Sequence, residues 1–200
     1  MTPFLISHRV LGASVALLAA VLVSRDASAQ TDTTSFREAP GAKVVVLPVA
    51  LYNAQANVQE ASDSSQAVLS TRVLTSKLQE LLGPQLLAGN PVALVAASPE
   101  ALATTGNQPC NVIVACARTV ANSLQAPWVV IAKVSKTSNL IWLFTGQLIH
   151  APTGTIILDD STELKGPPEG MVRAGSRIFA ERVARTVRRG GVTTNFPNTP

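Results

Sequence analysis

Cysteine occurs twice in this 200-residue chain, histidine twice, tryptophan twice and tyrosine once, and the aromatics Phe, Trp and Tyr make up only 4% of it. Each scarcity narrows the field. A hydrolytic triad needs a histidine, and once His8 in the apolar start is set aside only His150 remains. Two cysteines cannot form a four-thiolate metal site, and neither a C-x-x-C motif nor a second ligand pair accompanies them. Charged residues account for 14% of the sequence, well under the roughly 25% of average soluble domains, so Ala, Val and Leu must supply the packing. The net charge of +4 gathers near the C-terminus rather than among stackable aromatics, which argues against a nucleic-acid groove. No G-x-S-x-G, S-x-x-K, Walker loop or G-x-G-x-x-G occurs.

What is present begins with an address. "MTPFLISHRVLGASVALLAAVLVSRDASAQ" has a basic start at His8 and Arg9, an apolar run from Val10 to Val23, and small residues Ala27 and Ala29 before Gln30. This is the build of a secretory signal, with no cysteine after it to take a lipid. It also suits a retained anchor, because Phe4 to Val23 as a helix would span about 30 Å. Residues 1–29 are therefore expected to be a signal peptide or membrane anchor, 30–42 a linker, 43–189 a periplasmic domain and 190–200 an irregular tail.

Within the domain, "KVVVLPVALY" (Lys43 to Tyr52) reads as a buried strand with Pro48 at its end or edge. Asp63 and Gln66 stand at capping-box spacing before Leu69, Leu74, Leu78, Leu81 and Leu82, and Gly83-Pro84 stops the helix. "PVALVAA" (Pro91 to Ala97) is expected to be a second strand, followed by a short helix with Ser98 as cap and Pro99 at its first position. Strands are expected over Trp128 to Lys136, Asn139 to His150 and Ile156 to Leu164, joined as an antiparallel meander. A final helix runs from about Met171 to Arg189, with Val172, Ser176, Phe179, Val183 and Val187 on one side. The sum is an α/β domain, a mixed sheet with helices packed on it.

In an exported chain, two lone cysteines default to a disulfide. On one regular helix Cys110 and Cys116 would stand about 240° apart in azimuth and roughly 9 Å apart along the axis. That exceeds the usual bridging distance. A bridge requires Cys110 to sit in the preceding loop. Free buried thiols and redox or metal chemistry are the alternatives.

The stretch "CARTVANSLQAPWVVIAKVSKTSNLIWLFTGQLIHAPTG" resembles a family of small exported bacterial proteins of unknown function related to the amino-terminal domain of TolB. The matching positions are Cys116-Ala117, Leu124 to Ala126, Lys136 to Leu140 and Thr153-Gly154. The resemblance implies an α/β domain used for contacts in the cell envelope and transfers no catalytic residue. This chain spaces its cysteines more widely than that family does.

The remaining candidates are modest. His150 ends a strand in apolar surroundings and is expected to be a surface or hydrogen-bonded residue. Of Asp159, Asp160 and Glu163, only Asp159 and Glu163 share a strand face, which suits a solvated strand end better than a cation site. Arg173, Arg177, Arg185 and Arg188 lie on the side of the last helix opposite Phe179 and Val183, with Glu181 among them. A solvated helix face is one account of them, a partner-binding face the other. No cofactor, metal, nucleic acid or enzymatic activity is expected. The expected function is a non-catalytic subunit bracing a membrane complex on the periplasmic side, an energy-transducing respiratory or photosynthetic assembly being one host. An uncleaved N-terminal segment would add a contact with the bilayer. A soluble periplasmic ligand-binding or sensing domain is the alternative.

Overall fold

A computed structural model describes residues 38–39, 41–53, 62–106, 108–138 and 141–191. The leader, most of the linker, residues 54–61, 107 and 139–140, and the tail beyond 191 lie outside the described residues. Those from Thr34 onward belong to one compact unit.

The first apolar run supplies two strands rather than one. β1 (Val44–Val46) and β2 (Ala50–Asn53) are interrupted where Pro48 removes a ladder donor, and both pair parallel with β4 (Trp128–Ser138). α1 (Asp63–Leu82) follows and stops at Gly83, whose φ of 58° is left-handed. The expected capping box does not form: Ser62 is the N-cap, its side chain makes no cap bond, and Asp63 is already helical and engaged elsewhere. β3 (Leu86–Leu87) then pairs parallel with β1.

The expected strand at Pro91 to Ala97 is instead a helix, α2 (Asn90–Ala96). Pro91 sits in its first turn, where a missing N–H costs nothing, and only Val92 is buried. A seven-residue apolar run carries no decisive period, and the true strand is the dipeptide beside the Gly-Pro turn. α3 (Pro99–Leu102) has the expected cap, with Ala101 N–H donating to Ser98 Oγ at 3.3 Å. A 3-10 turn at Cys110–Val112 leads into α4 (Val114–Ser123).

β4, β5 (Ile141–His150) and β6 (Thr155–Lys165) form the antiparallel meander, and α5 (Pro168–Arg188) closes the domain. The sheet order is β3-β1-β4-β5-β6, with β2 also on β4. It is therefore mixed, parallel on one side of β4 and antiparallel on the other.

Strand alternation divides the interior in two. Val44, Val46, Trp128, Val130, Trp142, Phe144 and Leu148 point toward α1 and α5, where Leu74, Leu78, Phe179 and Val183 are fully buried. Val45, Leu47, Val129, Ile131 and Ile149 point the other way, onto Val92, Ala117, Val120 and Ala121. Each fully buried Leu or Phe contributes about 2 kcal/mol to this packing. α1 and α5 run parallel: Ser64 to Arg72 flank Glu169 and Arg173 at one end, and Lys77 and Leu81 flank Glu181 to Arg189 at the other. Small residues let them approach, and Ser70 Oγ meets Ser176 Oγ at 2.7 Å between them.

Candidate functional site

The interior titratable groups are spent on structure. Lys136 on β4 donates to both carboxylate oxygens of Asp63, at 3.0 and 3.2 Å, with both side chains 4% exposed. Asp63 occupies the first turn of α1, where the N–H groups and the helix dipole favour a carboxylate. Asp160, on the α5 side of β6, accepts from Arg182 Nη1 at 2.8 Å. His150 is buried against the Trp128 ring; its Nε2 lies 2.9 Å from Glu38 Oε1 and its Nδ1 2.9 Å from Thr153 Oγ1. It thereby fastens the segment that precedes β1 to the β5–β6 turn. Glu38 N–H adds a backbone bond to Gly190 O at 3.4 Å.

Cys110 and Cys116 form a disulfide with a Cα separation of 5.2 Å. Cys110 lies in the 3-10 turn and Cys116 in the first turn of α4, so the break between the two elements brings the sulfurs together. Arg118 on α4 donates to Ala151 O (2.8 Å) and Pro152 O (3.0 Å), pinning the turn that ends at Gly154. Gly154 has φ +77°, and a Cβ there would stand 2.8 Å from the guanidinium. The resembling positions are thus structural: a bridged helix start, the turn after α4, a buried lysine and a clamped glycine turn.

The described residues contain no group of three or more His, Cys, Asp or Glu side chains able to hold a metal ion. Among them, too, no helix is long and apolar enough to cross a membrane.

The exposed face of α5 is where charge is concentrated. Arg173, Arg177, Arg185 and Arg188 all face outward, with Phe179 and Val183 buried on the other side. α5 begins at Pro168, earlier than the sequence pattern predicts, and this brings in Glu169, which accepts from Arg173 Nε and Nη2 at 3.1 and 2.7 Å. Glu181 stands 4.0 Å from Lys77, which also pairs with Glu80 at 2.7 Å. Arg188 donates to Leu81 O at the end of α1. A groove of about 430 Å³ lies here, lined by Lys77, Leu81, Glu181, Arg185, Arg188 and Arg189.

A second concavity, of about 200 Å³, lies on the opposite sheet face where the α2–α4 layer stops short. Asn111, Val112, Ile131, Lys133, Thr145 and Gln147 line it. Lys133 Nζ sits 5.8 Å from the Tyr52 ring centroid, and Gln147 Nε2 donates to Asp159 Oδ2 at 3.3 Å. Sequence reasoning missed this hollow because its residues come from a turn and two strands far apart in the chain.

The fold is a mixed α/β sheet with two parallel helices on one face and a disulfide-stapled helical layer on part of the other. Residues 42–182 match the family DUF3280, described as "Protein of unknown function (DUF2380)", and the chain belongs to that family. A search of curated proteins found no match. Among solved structures the chain is similar to the C-terminal domain of LpoB from Salmonella enterica, at 13% identity and a TM-score of 0.45, over 64% of this chain and 86% of that one. It is also similar to the PelC dodecamer of Paraburkholderia phytofirmans, at 12% identity and a TM-score of 0.43, over 71% and 88%. TolB from Acinetobacter baumannii matches at 14% identity and a TM-score of 0.41, over 76% of this chain and 30% of TolB.

Proposed function

We propose that this chain is a non-catalytic interaction protein of the periplasm that braces a larger membrane assembly through the outward face of α5. The observation that carries this reading is the row Arg173, Arg177, Arg185 and Arg188, set on a rigid helix whose other side is locked into the main core. Guanidiniums on a fixed helix face are suited to bidentate contacts with carboxylates of a partner. The engagement of Lys136, His150 and Asp160 in structural contacts supports a role without catalysis. The secretory character of residues 1–29 supports the compartment, and respiratory or photosynthetic complexes are the kind of host that employs small accessory subunits.

Native membranes extracted in mild detergent test this directly. The expected result is the chain co-migrating with partner polypeptides in fixed stoichiometry, with Arg177→Glu plus Arg185→Glu releasing it while its circular dichroism and melting are unchanged. A monomer in the soluble fraction, untouched by those substitutions, would overturn the reading.

The hollow beneath Asn111 favours a second reading, a soluble periplasmic domain that binds a small anionic or amide-bearing ligand between Lys133, Thr145 and Gln147. That reading expects Lys133→Ala to abolish a ligand-induced rise in melting temperature.

A further inference from the structure

We propose that the end of the domain where α1 and α5 finish is a docking face for anionic phospholipid headgroups. The proposal rests on the envelope reading above but not on the existence of a protein partner. Three observations carry it.

The first is where the chain arrives. Glu38 is fixed by its side chain to His150 and by its backbone to Gly190, immediately after α5. Glu38, where the described residues begin, therefore lies beside the last turn of that helix. The apolar run of the sequence ends at Val23, and the fifteen steps from there to Glu38 can reach at most about 50 Å.

The second is charge. β1 begins beside Trp128 and His150 at this same end, so the exposed Lys43 just before it stands here as well. Lys77, Arg185, Arg188 and Arg189 line the groove between the helix ends, and Arg118 clamps the adjacent turn. Among the described residues, Glu38, Glu80 and Glu181 stand against these six cations. Glu38 is occupied by His150, and Glu80 and Glu181 both face Lys77.

The third is the balance with the helix dipoles. Two parallel helices present two C-terminal ends here, each equivalent to about half a negative charge, and an ordinary capping role for the basic residues would need only that much compensation. The dipole's influence fades within the last turn. Among the described residues the cations exceed both the dipoles and the carboxylates, leaving net positive charge on this end of the domain.

A polybasic patch beside a membrane-inserted or membrane-delivered segment gains from each Lys or Arg near an anionic surface, and a short linker keeps the patch at high effective concentration. The bilayer rather than free phosphate is the occupant, because the groove is open and shallow and the cations ring the whole end instead of converging on one point.

The test uses the chain from Gln30 to Pro200, which keeps the entire compact unit and both hydrophobic cores but omits the apolar leader. Vesicles of phosphatidylcholine alone, or with about one third phosphatidylglycerol, are floated with the protein. The expected result is flotation only with phosphatidylglycerol, lost at high salt as the Debye length shrinks. Arg185→Glu with Arg189→Glu should weaken it at least tenfold, with circular dichroism unchanged. The charge-matched control Arg72→Glu with Arg173→Glu, at the other end of the helix pair, should leave it within about twofold. Equal loss in both pairs would show that net charge alone drives binding and would overturn the proposal, as would flotation on phosphatidylcholine alone or displacement by millimolar inorganic phosphate. Failure here would leave the co-migration experiment unaffected, so the two readings fall separately.

Discussion

Lys136 shows how one residue can escape a reading of the sequence. In "AKVSKTSNLI" it looks like any solvated lysine near a hairpin, yet it faces the α1 side of the sheet and its ammonium is sealed against Asp63. Local pattern cannot report this, because Asp63 lies 73 positions away. The resemblance that includes Lys136 was the one available signal. Removing one partner of a buried pair leaves the other charge without its counter-ion, at a cost of about 3–5 kcal/mol, and the helix dipole offsets at most about 2 kcal/mol of that. Lys136→Met should therefore lower the urea midpoint sharply, and Asp63→Asn added to it should recover much of the loss. Equal destabilisation by the single and double substitutions would show that the leftover carboxylate is not the source of the cost. The cysteines were legible for the opposite reason: their partners are near in sequence, and helix geometry alone demanded a break between Cys110 and Cys116, which the 3-10 turn supplies.

At the scale of elements, long periodic segments were readable and short ones were not. α1 and α5 announce themselves through leucine and valine spacing and through Gly83-Pro84, whereas α2 and β3 depend on tertiary placement: the first was expected as a strand and the second was not anticipated. The α5–sheet contact turns on Gly146, whose missing side chain leaves room for the Phe179 ring: a Cβ there would stand 2.5 Å from it. Phe179 is fully buried and also packs on Phe144, with ring centroids 5.6 Å apart, so it has nowhere to retreat. Gly146→Ala is expected to cost about 2–3 kcal/mol by overpacking. In a Phe179→Leu background the same change should cost less than about 1 kcal/mol, and denaturant melts of the four proteins would expose additive behaviour if the contact is not the cause.

For the whole molecule, the α/β class and the meander followed from element order, but the division of the interior into two cores did not, since it depends on which helices cross to which face. That division makes stability uneven. The disulfide belongs to the smaller core, and closing so short a loop contributes only about 2 kcal/mol in the chain-entropy account. Reducing it should accelerate amide exchange across α3 and α4 while α1 and α5 keep their protection, as local opening is confined to the layer that loses its staple. Uniform acceleration throughout would mean that the two layers unfold as one.

The sheet order leaves β6 outermost, eleven residues long and, within the described residues, bonded to a neighbour strand on one side only. Such a rim invites copies of the chain to zip together, and the exposed Asp159 and Glu163, on the strand face away from α5, set acidic groups along it. Concentrated solutions should consequently remain clear, and Asp159→Asn with Glu163→Gln should turn them turbid, a reminder that a border needs guarding as much as an interior needs filling.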